Sequence, residues 1–212
     1  GAASVMGAFL AICAMRPQIK VVAVTPLVMN SIGSKSILPS DIVTSYAGKT
    51  IEIQNTDAEG RLILADALHY AVQHKADVIL DVATLTGACA VALGEHFSGA
   101  FSNHTGLIHL IQKQATLCGE PVWPLPVTSR YGEELKCALA DLANMGRSRE
   151  GGASLGAAFL ENFVETIPWC HLDIAGSSDL GRPAQTAGPL SAGRMVHTLL
   201  SFAQAFAEHK KL

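Results

Sequence analysis

Residues 55–62, with the sequence NTDAEGRL, combine residue types that could bind metal ions and anions. Asp57 and Glu59 lie two positions apart, so in an extended segment both carboxylates project to the same side. Converging carboxylates repel each other unless a cation lies between them, and divalent ions accept oxygen ligands. Gly60 removes a side chain where a ligand or the backbone must come close. The pattern therefore indicates a site for a divalent metal ion.

Arg61 adds a permanent positive charge to this segment. Its bidentate guanidinium fork suits carboxylate-like or tetrahedral anions. The next helix is expected to start here, and the free N–H groups of a helix N-terminus favour the same anions. The residue types thus predict an anion site beside the metal site.

A helix cap is the alternative interpretation of the same segment, and on the residues alone it is slightly the stronger one. Thr56 and Glu59 match a capping box, with Asp57 in the first helical turn, where acids are favoured. This alternative does not account for Gly60, which costs about 1 kcal/mol inside a helix. It also leaves Arg61 at the unfavourable end of the helix dipole.

The elements that position these residues follow from the apolar pattern. Short β-branched or apolar runs predict strands, and repeats at helical spacing predict helices. The predicted strands are residues 20–25, 50–53, 78–82 and 169–174. The predicted helices are residues 5–15, 64–74, 151–166 and 193–207. Their alternation predicts an α/β fold, a layered mixed β-sheet with helices on both faces, formed by residues 1–212 as a single domain. Ligands of such folds bind after the strands, where residues 55–62 lie.

Composition narrows the class of protein. Of the 212 residues, 49% are hydrophobic and 16% are charged, and the net charge is −3. An average soluble domain has roughly 25% charged residues, so part of this surface is expected to pack against protein. The composition excludes a disordered chain, and the lack of a basic run argues against nucleic-acid binding. Charge-free stretches at 1–15 and 21–34 fall short of the ~20 residues of a membrane span.

The five cysteines are scattered and contain no CxxC pair. They indicate neither a zinc ribbon nor a disulfide framework. Reduced thiols of this kind are typical of a cytoplasmic protein.

The string NTDAEGRL resembles the signature of the leucine aminopeptidase (cytosol aminopeptidase) family of metal-dependent exopeptidases. Four further segments resemble family motifs in the same order and spacing: 81–88 (DVATLTGA), 140–146 (ADLANMG), 151–153 (GGA) and 171–176 (HLDIAG). The whole chain is similar to the C-terminal part of the catalytic domain. The resemblance implies a zinc-exopeptidase-like domain that is N-terminally incomplete.

The resemblance also implies roles for individual residues. Asp57 would bind one or both of two divalent ions (manganese, zinc or magnesium), and Glu59 would bridge them. Arg61 would be catalytic, because it would hold a bicarbonate-like anion that acts as general base. Asn55 would contact the metal side or the substrate.

The resemblance further implies a substrate cleft and a setting in the cell. The backbone at Thr84, Leu85 and Gly87 would line the cleft and help to hold the anion, with Ala175 near the substrate side chain. The substrates would be peptides with a leucine-type, apolar N-terminal residue. The family resemblance implies a cytoplasmic homo-oligomer, a hexamer, that does not contact the membrane.

The chain's main departure from the family concerns the remaining metal ligands. The other metal ligands, a lysine and two aspartates, and the catalytic lysine would lie upstream of Gly1. We therefore expect these 212 residues to be inactive alone. The alternative is a non-catalytic, oligomeric or DNA-binding regulatory protein on the same scaffold.

A second sequence pattern suggests a different enzyme class. Residues 152–156 match G-x-S-x-G around Ser154, with Asp173 or Asp179 and then His197 in the chain order of a hydrolase triad. Such a serine should directly follow a buried strand, whereas the residues before it are polar and favour a helix start. Asp81 and Asp173, which are acids inside apolar strands, are predicted to form structural hydrogen bonds.

Overall fold

The structure is a computed structural model that describes residues 1–148, 150–178 and 193–209. Internal contacts divide the chain into two compact units. The first unit comprises residues 1–25, 80–125 and 170 onward, and the second comprises residues 26–79 and 126–169. The formation of a single domain over residues 1–212 stays a prediction.

Helices and strands alternate along the described residues. The helices are α1 (Ala2–Met15), α2 (Gly60–Gln73), α3 (Gly87–Leu93), α4 (Thr105–Leu117), α5 (Ser129–Glu134), α6 (Gly152–Glu161) and α7 (Val196–His209). The strands are β1 (Ile42–Thr44), β2 (Thr50–Glu52), β3 (Ile79–Ala83), β4 (Ser98–Ser102), β5 (Val122–Pro124), β6 (Leu142–Ala143) and β7 (Trp169–Asp173).

The first unit is built around a four-stranded mixed sheet with the order β3-β7-β4-β5. Strand β4 runs parallel to β5 and antiparallel to β7, with Phe101 opposite His171. Every residue of β7 is buried, including the polar His171 and Asp173. Helix α4 places Leu107 and Ile111 in the core of this unit, and α1 packs against α7.

The second unit contains a three-stranded sheet with the order β1-β2-β6. Strand β2 pairs antiparallel with β1 and parallel with β6, with Ile51 opposite Leu142. Helix α2 buries Ala65 and Leu68 on one face, at the spacing of an amphipathic helix. Two mixed sheets with packed helices confirm the predicted α/β class.

The predicted elements are mostly found, with one clear error. Strands appear near 50–53, 78–82 and 169–174, and helices appear at all four predicted places. The predicted buried strand at 20–25 is wrong, because these residues form no regular element and Val22 is 58% exposed. A strand needs a neighbouring backbone for its hydrogen bonds, and no strand among the described residues pairs with this segment.

None of the helices in the described ranges has both the length and the apolar character needed to cross a bilayer.

Candidate active site

The segment that carries the two acids forms a tight turn after β2. The side-chain Oδ1 of Asn55 accepts the Asp57 N–H at 2.9 Å, and the Asn55 carbonyl accepts the Ala58 N–H at 3.3 Å. Asparagine favours such turns because its side chain can hydrogen-bond the backbone two residues on. The turn buries Ala58 and leaves the side chain of Asp57 exposed and that of Glu59 half-buried. Both carboxylates are therefore accessible to a ligand.

The helix that follows does not have the predicted capping box. Helix α2 begins at Gly60 with Glu59 at its N-cap, and the Glu59 side chain makes no capping hydrogen bond. Thr56 lies inside the preceding turn, where its carbonyl accepts the side-chain amide of Asn30 at 3.2 Å. The capping-box interpretation is thus wrong, because the turn ends too late for Thr56 to precede the first helical residue. Gly60 opens the helix instead of lying in its interior.

Arg61 is the second residue of α2, where the sequence predicted the helix start. Only 6% of it is exposed, and its terminal nitrogen Nη1 donates to the carbonyl oxygen of Asn144 at 2.8 Å. A buried guanidinium is costly unless it is paired, so this bond orients a charge that water cannot screen.

Asn144 connects this helix to the turn before it. It directly follows the buried strand β6 and is fully buried. Its Oδ1 accepts the N–H groups of Gln54 and Asn55 at 2.8 and 3.2 Å, and its Nδ2 donates to the Asn55 carbonyl at 2.7 Å. Donors face the oxygen and an acceptor faces the nitrogen, so the hydrogen-bond network itself fixes the orientation of the amide.

The donor set around this turn fits part of a metal centre. Two accessible carboxylates, those of Asp57 and Glu59, are oxygen ligands of the kind that manganese and magnesium prefer. Within the described ranges, no group of three or more His, Cys, Asp or Glu side chains could hold a metal ion. Two carboxylates cannot fill the coordination spheres of two divalent ions, so a two-metal centre here requires further ligands.

The other predicted site residues lie in the first unit, around the carboxylate of Asp173. This carboxylate is fully buried, and its Oδ1 accepts the N–H groups of Leu85 and Ala175, both at 3.1 Å. Its Oδ2 accepts the hydroxyl of Thr86 at 2.7 Å. The structure thus brings Leu85 and Ala175 to one acceptor, although they are far apart in sequence.

Thr86 links this carboxylate to helix α3. Its side chain accepts the Cys89 N–H at 3.1 Å, which caps the helix that begins at Gly87. Thr84 and Gly87 are exposed on either side of Leu85 and Thr86. The backbone predicted to bind substrate therefore lies at the end of β3, held by a buried acid.

A second buried acid lies on β3. Asp81 approaches His171 on β7, with 2.5 Å between Oδ1 and Nδ1, and the ring of His171 stacks on Phe101. The structural hydrogen bonds predicted for Asp81 and Asp173 are therefore present. Burial, and secondly the charge of Asp173, raise the pKa of the Cys89 thiol to about 12. Cys89 is thus a protonated core thiol and not a nucleophile.

The serine-hydrolase alternative is not supported by the geometry. Ser154 is buried in the first turn of α6, which begins at Gly152 after a left-handed Gly151. A nucleophile elbow places an exposed serine directly after a strand, whereas here β6 ends at Ala143 and a loop follows. The helix start predicted from the polar residues is found. Asp179, one candidate triad acid, lies outside the described residues.

Comparison with known proteins identifies the family to which the chain belongs. The model of the cytosol aminopeptidase family, catalytic domain, matches residues 1–200. The chain belongs to the cytosol aminopeptidase family. The resemblance inferred from NTDAEGRL is thereby confirmed.

Curated relatives and a solved structure agree with this cytosol aminopeptidase assignment. The chain is 46% identical over 200 residues to a probable cytosol aminopeptidase of Acidovorax ebreus, covering 94% of this chain and 40% of that protein. It is 45% identical over 208 residues to the Bacillus subtilis relative of the same name, covering 97% and 41%. A mutant of tomato leucine aminopeptidase matches with a TM-score of 0.87 and 41% identity, covering 97% and 40%.

The chain spans about two fifths of the length of these cytosol aminopeptidase relatives. The roles predicted for Asn55, Asp57, Glu59 and Arg61, and for the 84–87 and Ala175 backbone, stay predictions. The sequence indicates no separate role for Asn144 beyond its place in the family motif at residues 140–146. One signal marks it, because it is a polar residue directly after a short buried strand, where the ligands of such folds bind.

Proposed function

We propose that this chain is the C-terminal part of the catalytic domain of a metal-dependent aminopeptidase that removes leucine-type N-terminal residues from peptides. The observation that carries the proposal is the turn at residues 55–58. It presents the carboxylate of Asp57 and is followed directly by Glu59 and by the buried Arg61 at the start of α2. Membership of the cytosol aminopeptidase family supports the same function.

Asp57 and Glu59 would hold two divalent ions (manganese, zinc or magnesium), with Glu59 between them. When bound, such ions and a bicarbonate-like anion supply an activated water molecule and a base for peptide-bond hydrolysis. The side chain of Asp57 is exposed and that of Glu59 is half-buried, so metal ions could reach both carboxylates. The lysine and the two aspartates that complete the set would come from a segment that precedes Gly1 in the relatives.

Arg61 would hold the anion. Its guanidinium is aimed by the Asn144 carbonyl, and a buried arginine binds a planar anion through parallel hydrogen bonds. Its place in the first turn of α2 adds the free N–H groups of the helix N-terminus. Burial strengthens both interactions, because nearby water would otherwise screen them.

The backbone at Thr84, Leu85 and Gly87 would line the cleft for the peptide, with Ala175 near the side chain of its first residue. The buried carboxylate of Asp173 supports this proposal, because it fixes Leu85 and Ala175 at once. Backbone held in this way can orient a substrate without rearranging when the substrate binds.

We also propose that the protein works as a cytoplasmic homo-oligomer, a hexamer. The low charge content supports an assembly, and so do the exposed apolar side chains, among them Leu10 (69%), Val91 (90%) and Leu117 (71%). Curated relatives are named cytosol aminopeptidases, which supports the cellular location.

The test compares the 212 residues with an extended protein, in which the N-terminal portion of the Bacillus subtilis relative precedes Gly1. Both are assayed for hydrolysis of a chromogenic leucine amide with Mn²⁺. We expect chelator-sensitive hydrolysis by the extended protein and none by the chain alone. If the extended protein is folded but shows no chelator-sensitive hydrolysis, the result contradicts the proposed function.

A further inference from the structure

Asn144 is attached to the candidate site at two separate places. Its side chain bonds the N–H groups of Gln54 and Asn55 and the carbonyl of Asn55. Its main chain carries the other attachment, since its carbonyl accepts Nη1 of Arg61 at 2.8 Å. One residue, separated by 83 positions from Arg61, thus contacts both the start of the acidic turn and the cation beside it.

Asn144 is itself held rigidly. Its N–H donates to the Glu52 carbonyl at 3.0 Å, which continues the parallel pairing of β2 and β6 by one residue. The side chain is fully buried, so it has no room to adopt another rotamer without losing these bonds. Because Asn144 continues the β2–β6 pairing, its hydrogen bonds to Gln54 and Asn55 fix the start of the turn relative to this sheet.

The turn passes this constraint on to the acids. The carbonyl of Asn55, which Asn144 holds, accepts the Ala58 N–H, and the Asn55 side chain accepts the Asp57 N–H. A rotation of the peptide at Asn55 would therefore shift the backbone that carries Asp57 and Glu59.

We propose that Asn144 is a positioning residue that sets the distance between the Arg61 guanidinium and the Asp57–Glu59 turn. The inference rests on the proposed function of these three residues. The chemistry requires asparagine in particular, because one atom must accept two N–H groups while its neighbour donates to a carbonyl. Aspartate has the same shape but places a second acceptor against the Asn55 carbonyl.

The experiment uses Asn144→Asp in the extended protein, with Asn162→Asp as the matched control. Asn162 lies in the same unit and also donates its side-chain amide to a backbone carbonyl, that of Ala158, at 2.8 Å. We expect N144D to lower kcat about 100-fold, since a small misplacement of reacting groups costs about that much, and to leave KM unchanged. N162D should change neither constant.

Hydrogen exchange supplies a readout that does not depend on activity. The amides of residues 54, 55, 57 and 58 should exchange faster in N144D and at the wild-type rate in N162D. A kcat at the wild-type level in N144D, or an equal loss in N162D, overturns the proposal. If circular dichroism shows N144D to be unfolded, Asn144→Ser replaces it with the same expected split between kcat and KM.

The failure of the proposed function is recognised separately. In that case the wild-type extended protein shows no chelator-sensitive hydrolysis, whatever residue stands at position 144. Hydrogen exchange then tests the positioning role without an activity assay. Faster exchange at residues 54–58 in N144D supports this role, and unchanged exchange contradicts it.

Discussion

The main-chain carbonyl of Asn144 lies 2.8 Å from the terminal nitrogen Nη1 of Arg61. Neither residue is exposed enough for water to replace this bond, since Arg61 is 6% exposed and Asn144 is fully buried. The Arg61 guanidinium of the candidate anion site is therefore oriented by Asn144, the residue that directly follows the paired strands β2 and β6.

Replacing Arg61 by methionine should abolish most of the activity of the extended protein. Methionine fills much of the same volume but removes the guanidinium, and loss of one charge-stabilising donor costs about 100- to 1,000-fold in kcat. The measurement is kcat for a leucine amide with and without added bicarbonate. Arg130→Met, an exposed arginine on α5, is the control. Wild-type kcat and an intact bicarbonate response in R61M would contradict an anion-holding role.

Asp57→Asn and Glu59→Gln should each weaken Mn²⁺ binding to the extended protein. An amide keeps the shape of the side chain but removes the negative charge that a divalent ion requires. Even outer partners of metal ligands alter affinity by about 10- to 100-fold, so the loss should be at least that large. Calorimetric titration with Mn²⁺ measures it. Asp66→Asn, on the helix α2 that follows the turn, is the control, because the Asp66 carboxylate already accepts the Tyr46 N–H at 2.7 Å and is not a predicted metal ligand. Equal affinity in D57N and wild type would argue against direct ligation.

Asp173→Asn should destabilise the protein and raise KM. The amide oxygen could still accept the N–H groups of Leu85 and Ala175, but the amide nitrogen cannot accept the Thr86 hydroxyl, and a buried polar group that loses its partner costs about 1–3 kcal/mol. Urea unfolding and substrate titration of the extended protein measure the two effects.

Asp141→Asn provides the comparison for Asp173. The exposed carboxylate of Asp141 also accepts a backbone N–H and a hydroxyl, both from Thr50, at 2.8 and 2.7 Å. Water can replace these bonds, so we expect a smaller loss of stability and an unchanged KM. If D141N and D173N lose the same free energy of unfolding and have the same KM, the carboxylate of Asp173 does not position the backbone predicted to bind substrate.

The buried thiols should resist alkylation while the protein is folded. Burial raises the pKa of Cys170, with the charge of Asp81 adding to it, and the pKa of Cys89 rises to about 12. Only the thiolate reacts, so raising the pH to mildly alkaline values should not activate either residue. Iodoacetamide labelling followed by mass spectrometry should modify exposed Cys13 first, and Cys89 and Cys170 only after denaturation. Early labelling of Cys89 would show that its surroundings open in solution.

The sequence by itself determined the family and half of the regular elements among the described residues, four helices and three strands. The string NTDAEGRL is continuous, so its residues need no fold to be recognised together. The helices at α1, α2, α6 and α7 follow from local apolar periodicity, and β7 follows from a short, mostly apolar run. The low content of charged residues is likewise read from the sequence alone.

Only the tertiary structure decided where the acidic turn ends and what holds it. Thr56 and Glu59 have the right spacing for a cap, yet the bonds of Asn55 and Asn144 extend the turn to Glu59. The strand predicted at residues 20–25 failed for a related reason, because an apolar run does not specify the neighbouring strand that must pair with it. Local sequence encodes contacts between near neighbours, whereas the bonds of Asn144 with Arg61 and of Asp173 with Leu85 join residues more than 80 positions apart. Only the folded chain brings such residues together.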